Sequence, residues 1–174
     1  MIIYKDAVTG DELFTDACKV KLVDECIYEV TGKYVTRKIG EDIVLAGANA
    51  SQEEADEGTD EATESGVDVV LNNRLQEVPF LQDKKAYQGY IKDYMKALVK
   101  RVEEKNPADV EKFKANVQTA VKRILGSHAN LQFYTGESMD AEKGMVVTVE
   151  YRDVDGTDTP ILSFFKHGLV EEKV

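Results

Sequence analysis

Two cysteines, Cys18 and Cys26, and two histidines, His128 and His167, are the only thiol and imidazole ligands in the chain. A four-ligand Cys/His zinc centre would need all of them, and nothing resembles the C-x-x-C spacing that brings two thiolates onto one ion. Two cysteines are also too few for a disulfide framework, so buried free thiols are expected. Nucleophilic catalysis finds no better support. No G-x-S-x-G frames a serine, and neither H-E-x-x-H nor a Gly-rich phosphate loop occurs. Carboxylates are plentiful, but spacing alone identifies no acid/base pair. The expectation is a protein without catalysis and without a required cofactor. Asp153-Val154-Asp155-Gly156-Thr157-Asp158 offers hard oxygen ligands, which makes Asp153, Asp155 and Asp158 calcium candidates. Gly156 comes too early for an EF-hand loop and the distal Glu is missing, so an Asp-rich hairpin turn explains the same residues. Calcium binding there would be weak, about 10⁻⁴–10⁻³ M.

Charge narrows the partners. The 174 residues carry a formal −11, which disfavours binding to nucleic acid or to an anionic membrane surface. The start, Met1-Ile2-Ile3-Tyr4-Lys5-Asp6, interrupts the apolar stretch a signal peptide requires. No run of about 18 apolar residues occurs. A cytoplasmic address follows as the expectation. With 43% apolar residues the chain can bury a core, and its length suits a single domain over 1–174.

The first third reads as β structure. Ile2 to Lys5 alternates, as do Cys26 to Thr31, and Gly32-Lys33 turns into Tyr34-Val35-Thr36. Residues 41–65 then form an acidic segment with no Lys or Arg, expected as a flexible loop because it has little apolar surface to offset its ordering entropy. Val67-Asp68-Val69-Val70-Leu71 reads as a strand. In the C-terminal third, Leu131–Tyr134, Met145–Tyr151 and Pro160–Phe165 are expected strands, the last two joined at Asp155-Gly156.

Between these β regions the period changes to that of a helix. Tyr87, Tyr90, Ile91, Tyr94, Met95, Leu98, Val99 and Val102 make one apolar stripe. Asn106-Pro107-Ala108-Asp109 predicts an N-cap and the start of a second helix, with apolar positions from Val110 to Leu125 and Gly126 as its C-cap. The result is an antiparallel helical hairpin over 84–126, inserted in the β core. Eleven basic and five acidic residues between Lys84 and Arg123 give it a net +6, leaving −17 for the rest. Lys92, Lys96 and Lys100 repeat at i, i+4 beside Arg101. They are candidates for docking an acidic partner; a plain solvated helix face is the alternative.

Several segments resemble the translationally controlled tumour protein family. They are Met1-Ile2-Ile3-Tyr4, Asp11-Glu12 with Phe14, Asn49-Ala50-Ser51, Gly66 to Val70, Leu75-Gln76-Glu77 and Tyr90 to Lys96. Gln132 to Met139, Gly144-Met145-Val146 and Phe164 to Leu169 complete the set. Ala48 stands where the family's loop motif has a second glycine, Ser138 and Asp140 where asparagines are usual, and Lys143 as an insertion. The resemblance implies an α+β fold: a tent-like mixed or antiparallel β core with a projecting helical hairpin and a flexible acidic loop. It also implies calcium binding, association with tubulin and microtubules, contacts with translation elongation factors and small GTPases, links to growth and cell survival, and release by a non-classical route. By resemblance Glu12 is the residue that engages a small GTPase, in one reading as a nucleotide-exchange regulator; an exposed loop acid is the plain alternative. Several vertebrate members end in cysteine where this chain has Val174, so a monomer is expected.

Overall fold

The computed structural model describes residues 1–38 and 63–174, without the side chain of Lys38. Strand β1 (Ile2–Asp6) is flanked by β2 (Glu12–Thr15) and β11 (Leu169–Lys173) in a three-stranded sheet. Six strands form the main sheet: β3 (Lys19–Val23), β4 (Ile27–Thr31), β10 (Thr157–Phe165), β9 (Val147–Val154), β8 (Gln132–Thr135) and β7 (Gln76–Glu77), in that spatial order. A two-stranded ribbon pairs β5 (Tyr34–Lys38) with β6 (Thr63–Val67). Every pairing is antiparallel, so the core is built from hairpins and returns rather than crossovers. The β9–β10 hairpin turns at Asp155-Gly156, both with positive φ (52° and 82°), the conformation a two-residue type I′ turn demands.

Helix α1 (Asp68–Asn73) corrects the strand expected over Val67–Leu71. The β-branched pair Val69-Val70 suits a strand, but Asp68 Oδ1 accepts the N–H of Val69 and of Lys33, at 2.8 and 2.9 Å. Asp68 is the first helical residue rather than the cap; its carboxylate favours the helix N-terminus and ties the turn to the β4–β5 connection. Gly32 permits the approach: a Cβ there would meet Val67 Cγ1 at 2.9 Å and Asp68 Oδ1 at 3.0 Å.

The hairpin consists of α2 (Lys84–Lys105) and α3 (Val110–Gly126). Asp83 opens α2, its side chain accepting Lys85 N–H. Between the helices, Pro107–Asp109 is a 3₁₀ turn and the Asn106 amide donates to Asp109 Oδ2 at 2.6 Å. The expected cap therefore bonds a side chain rather than a helix N–H. Gly126 is the last helical residue and Ser127 the cap. Helix α2 buries Tyr87, Tyr90, Ile91, Tyr94, Leu98 and Val102, and α3 buries Val110, Phe113, Val117, Ala120 and Ile124. The tyrosines dock on the β body: Tyr87 packs on Phe133 and His128, Tyr94 on Phe165.

The acidic segment expected over 41–65 lies outside the described residues as far as position 62. Its last three positions, Thr63 to Ser65, belong to β6 instead, where Arg37 pairs with Glu64 at 2.8 Å. Among the described residues no helix is long and apolar enough to cross a membrane.

Candidate interaction surfaces

The hairpin presents the first surface. A 3.6-residue repeat with a buried Tyr90–Tyr94–Leu98 ridge puts Lys92, Lys96 and Lys100 on an outward ridge, and all three are exposed. None has an ion-pair partner among the described residues. Arg101 differs from them. It is half-buried, and its Nε donates to the His167 carbonyl at 3.1 Å, fastening α2 to the 3₁₀ turn before β11. Other hairpin cations hold the body as well: Arg123 reaches Asp24 at 3.0 Å and Lys112 reaches Glu25 at 3.3 Å. The basic arm is thus divided. One ridge of lysines faces outward, while Arg101, Lys112 and Arg123 hold the arm in place.

The second surface surrounds Glu12. This residue is exposed and opens β2, opposite Lys5 of β1 at a register shift between Tyr4 and Lys5. Lys5 pairs with Glu172 at 2.7 Å, so Glu12 has no ion pair within 4.0 Å among the described residues. Glu12 stands on the wall of an open groove of about 710 Å³ between β2, β3, the β4–β5 turn and α1. Cys18, Lys33, Asp68 and Asn72 also line it. The Cys18 thiol is half-buried and burial raises its pKa, so it is a weak nucleophile here.

Beneath Glu12 lies a frame that spacing did not reveal. Asp6, 2% exposed, accepts Val8 N–H through Oδ1 and Met145 N–H through Oδ2, both at 2.8 Å. Asp11 Oδ2 accepts from both Ser138 N–H and Ser138 Oγ. Tyr90 donates its hydroxyl to the Gly144 carbonyl at 2.6 Å and accepts Val146 N–H at 2.9 Å. These bonds lock the β1–β2 turn, the segment from Gly136 to Val146 and α2 to one another. Gly136 is forced by the contact, because a Cβ would collide with the Asp11 carboxylate. The stretches Asp11-Glu12, Tyr90–Lys96 and Gln132–Val146 had marked the region without showing that it is one cluster.

The remaining candidates do not converge. Asp153 and Asp158 face each other across β9–β10 and Asp155 occupies the turn, all three exposed. Among the described residues no three His, Cys, Asp or Glu side chains gather as metal ligands. His128 is a core residue whose Nε2 lies 2.8 Å from the Leu81 carbonyl. His167 packs its ring edge-on against Phe113 at 4.5 Å; burial first, and then Lys166, pull its pKa below the ordinary histidine value. Glu29, buried, is held by the two terminal guanidinium nitrogens of Arg152 at 2.8 and 2.9 Å, which lower its pKa against the opposing effect of burial.

Known proteins place this architecture. The family model described as translationally controlled tumour protein matches residues 1–170. The chain is 62% identical over 173 residues to the translationally-controlled tumor protein homolog of Bombyx mori and 61% to that of Drosophila yakuba, each alignment covering 99% of both chains. The solved structure of the tumor-associated protein p23fyp from Schizosaccharomyces pombe superposes with a TM-score of 0.79 at 46% identity, covering 100% of both chains. The solution structure of the Caenorhabditis elegans protein gives 0.76 at 43% identity, covering 100% of this chain and 99% of that one. With its α+β body, its docked helical hairpin and this likeness along its full length, the chain belongs to the translationally controlled tumour protein family.

Proposed function

We propose that this family member is a non-enzymatic cytoplasmic docking protein whose α2 lysine ridge binds acidic protein surfaces, tubulin and the microtubule wall first among them. The observation that carries the reading is the line of Lys92, Lys96 and Lys100, exposed and without ion pairs among the described residues, on a helix whose opposite side is fixed in the core. A fixed row of like charges sums its attraction on an acidic partner and loses little side-chain freedom beyond that of the lysines themselves. Contacts with translation elongation factors, and through them growth and survival, fit the same chemistry where the partner offers clustered carboxylates. Co-sedimentation with microtubules tests it. The wild-type chain should pellet, and less so as ionic strength rises from about 0.01 M to about 0.15 M, where screening shortens from about 30 Å to about 8 Å. Lys92→Glu/Lys96→Glu/Lys100→Glu should stay in the supernatant; unchanged pelleting would remove the ridge from the function.

Glu12 favours a second, separate contact. A carboxylate without an ion pair among the described residues, on the wall of an open groove, is free to meet a cation of a small GTPase. Nucleotide release from a GTPase panel, with and without Glu12→Ala, decides this reading. No acceleration by the wild-type protein would leave Glu12 as a surface acid.

A further inference from the structure

Helix α2 carries three neighbouring ridges at i, i+4 spacing. Tyr90, Tyr94 and Leu98 are buried; Lys92, Lys96 and Lys100 face outward; and Gly89, Asp93 and Ala97 lie between them. The middle ridge floors an open groove of about 750 Å³. Its far wall is Val8 of the β1–β2 turn and the stretch Ala141 to Lys143, and Phe80 stands at its end. Val8 is 53% exposed and Phe80 61%, so this is apolar surface left facing water. Nothing lies within 4 Å of where a Gly89 Cβ would stand.

We propose that this groove seats the apolar face of an acidic amphipathic helix from a partner protein, whose carboxylates then lie along the lysine ridge. The proposal rests on the docking role given to that ridge and names the kind of segment it takes. The choice of a helix follows from the floor. Gly89 and Ala97 are eight residues apart on one ridge, about 12 Å or just over two turns, and two small residues there let a second helix approach α2 closely. The choice of an acidic partner follows from the edges. Lys92, Lys96 and Lys100 stand on the exposed ridge beside the floor, outside the lining itself, which carries Lys143 against Asp93 and Glu142; with that ridge counted, the surroundings of the groove are net positive. Among the described residues a second copy of this chain supplies no such segment, because its two long helices are net basic. Nucleic acid offers no apolar face to fill the groove.

Fluorescence anisotropy on the full chain tests this with a labelled 18-residue peptide that places Leu at i, i+3, i+4 and i+7 and Glu on the remaining face. The comparison is a Glu/Gly/Ser peptide of equal charge and length with no apolar face. The wild-type chain should bind the amphipathic peptide at least tenfold more tightly than the comparison. Gly89→Leu should weaken the amphipathic peptide at least tenfold and leave the comparison within twofold. This substitution raises helix propensity, so lost binding would not come from a lost helix. Val8→Glu on the opposite wall should reproduce the loss, and it decides the question should Gly89→Leu fail to fold. Lys92→Glu/Lys96→Glu/Lys100→Glu should weaken both peptides. Equal binding of the two peptides by the wild type, or full binding of the amphipathic one by the groove variants, would overturn the groove. If charge reversal still weakens both peptides, the lysine ridge survives that result; if it weakens neither, the docking role falls as well.

Discussion

Three tyrosines on one face of α2 have hydroxyls in different circumstances, and removing them one at a time gives a sharp test of how the hairpin is held. Tyr90, 7% exposed, donates to the Gly144 carbonyl and accepts Val146 N–H; the hydroxyls of Tyr87 and Tyr94 are buried with no hydrogen-bond partner among the described residues. Tyr→Phe deletes one oxygen and nearly preserves shape. At Tyr90 it leaves a carbonyl and an N–H unpaired in the interior, at about 1–3 kcal/mol for each such group. Partial relaxation of the loop brings the expected loss to about 2–4 kcal/mol. At Tyr87 the same change removes a hydroxyl whose burial is uncompensated, a cost of about 1–3 kcal/mol in proteins, so Tyr87→Phe should be neutral or more stable by about 1 kcal/mol. Urea unfolding at 25 °C, read as midpoint shifts at constant m, measures both. The two variants should differ by about 2–5 kcal/mol. A Tyr90→Phe protein within about 0.5 kcal/mol of wild type, or equal losses at both positions, would refute the hydrogen-bond assignment and leave α2 held by apolar packing and the Arg101 bond to the His167 carbonyl (about 0.5 kcal/mol being the usual limit of a neutral change).

Other outcomes follow from the same geometry. Arg152→Ala should cost about 2–3 kcal/mol in urea unfolding, below the range for fully buried pairs because Arg152 is 38% exposed, as Glu29 loses its two-pronged partner. The Glu29 pKa is lowered in the fold, so its contribution is present above the unfolded value of about 4.3 and is lost as pH falls through the folded one; the stability gap between wild type and Glu29→Gln should close over that acid window. His167 shifts stability in the same direction, over a higher pH window. Its folded pKa lies below the unfolded value of about 6.5, so the unfolded chain takes up the proton first and stability drops as pH falls from about 7; His167→Asn should flatten that part of the profile. Burial pushes the Cys26 thiol up to about 11, so a thiol reagent near neutral pH should label Cys18 well before Cys26, with Cys26 reacting only on unfolding; equal rates would contradict its burial.

The hairpin was legible because it depends on local periodicity. The stripe from Tyr87 to Val102 and the stop at Asn106-Pro107 need no distant partner to be recognised, and the structure places both helices accordingly. Alternation likewise marked β1, β4, β9 and β10. What escaped depends on long-range pairing. Strands β2, β3 and β11 are short and half exposed, with Lys and Glu on their open faces, and are strands only because β1 and β4 lie beside them. Helix α1 looked like a strand because a carboxylate bond to Lys33, far back in sequence, decided its start. At the surfaces, spacing separated Lys92, Lys96 and Lys100 from the core, but it gave no sign that Arg101 binds the His167 carbonyl.

Four of the stretches that carried the likeness to the family, Asp11-Glu12, Tyr90 to Lys96, Gln132 to Met139 and Gly144 to Val146, meet at one place, and their bonding there assigns them a role. Asp11 meets Ser138, Asp6 meets Met145, and Tyr90 meets both Gly144 and Val146. Asp6 and Tyr90 satisfy buried or half-buried backbone groups, and the Asp11–Ser138 pair joins the two segments at the exposed surface. These motif residues therefore build a frame. Groups free to meet a partner stand just outside it: Glu12 next to Asp11, and Lys92 and Lys96 on the helix that Tyr90 secures. Frame and contact residues thus alternate along the same short segments, so one set of backbone bonds fixes where both charged surfaces stand. A substitution inside the frame should disturb the Glu12 groove and the α2 groove together, whereas one at Lys92, Lys96 or Glu12 should silence a single partner and leave the fold intact.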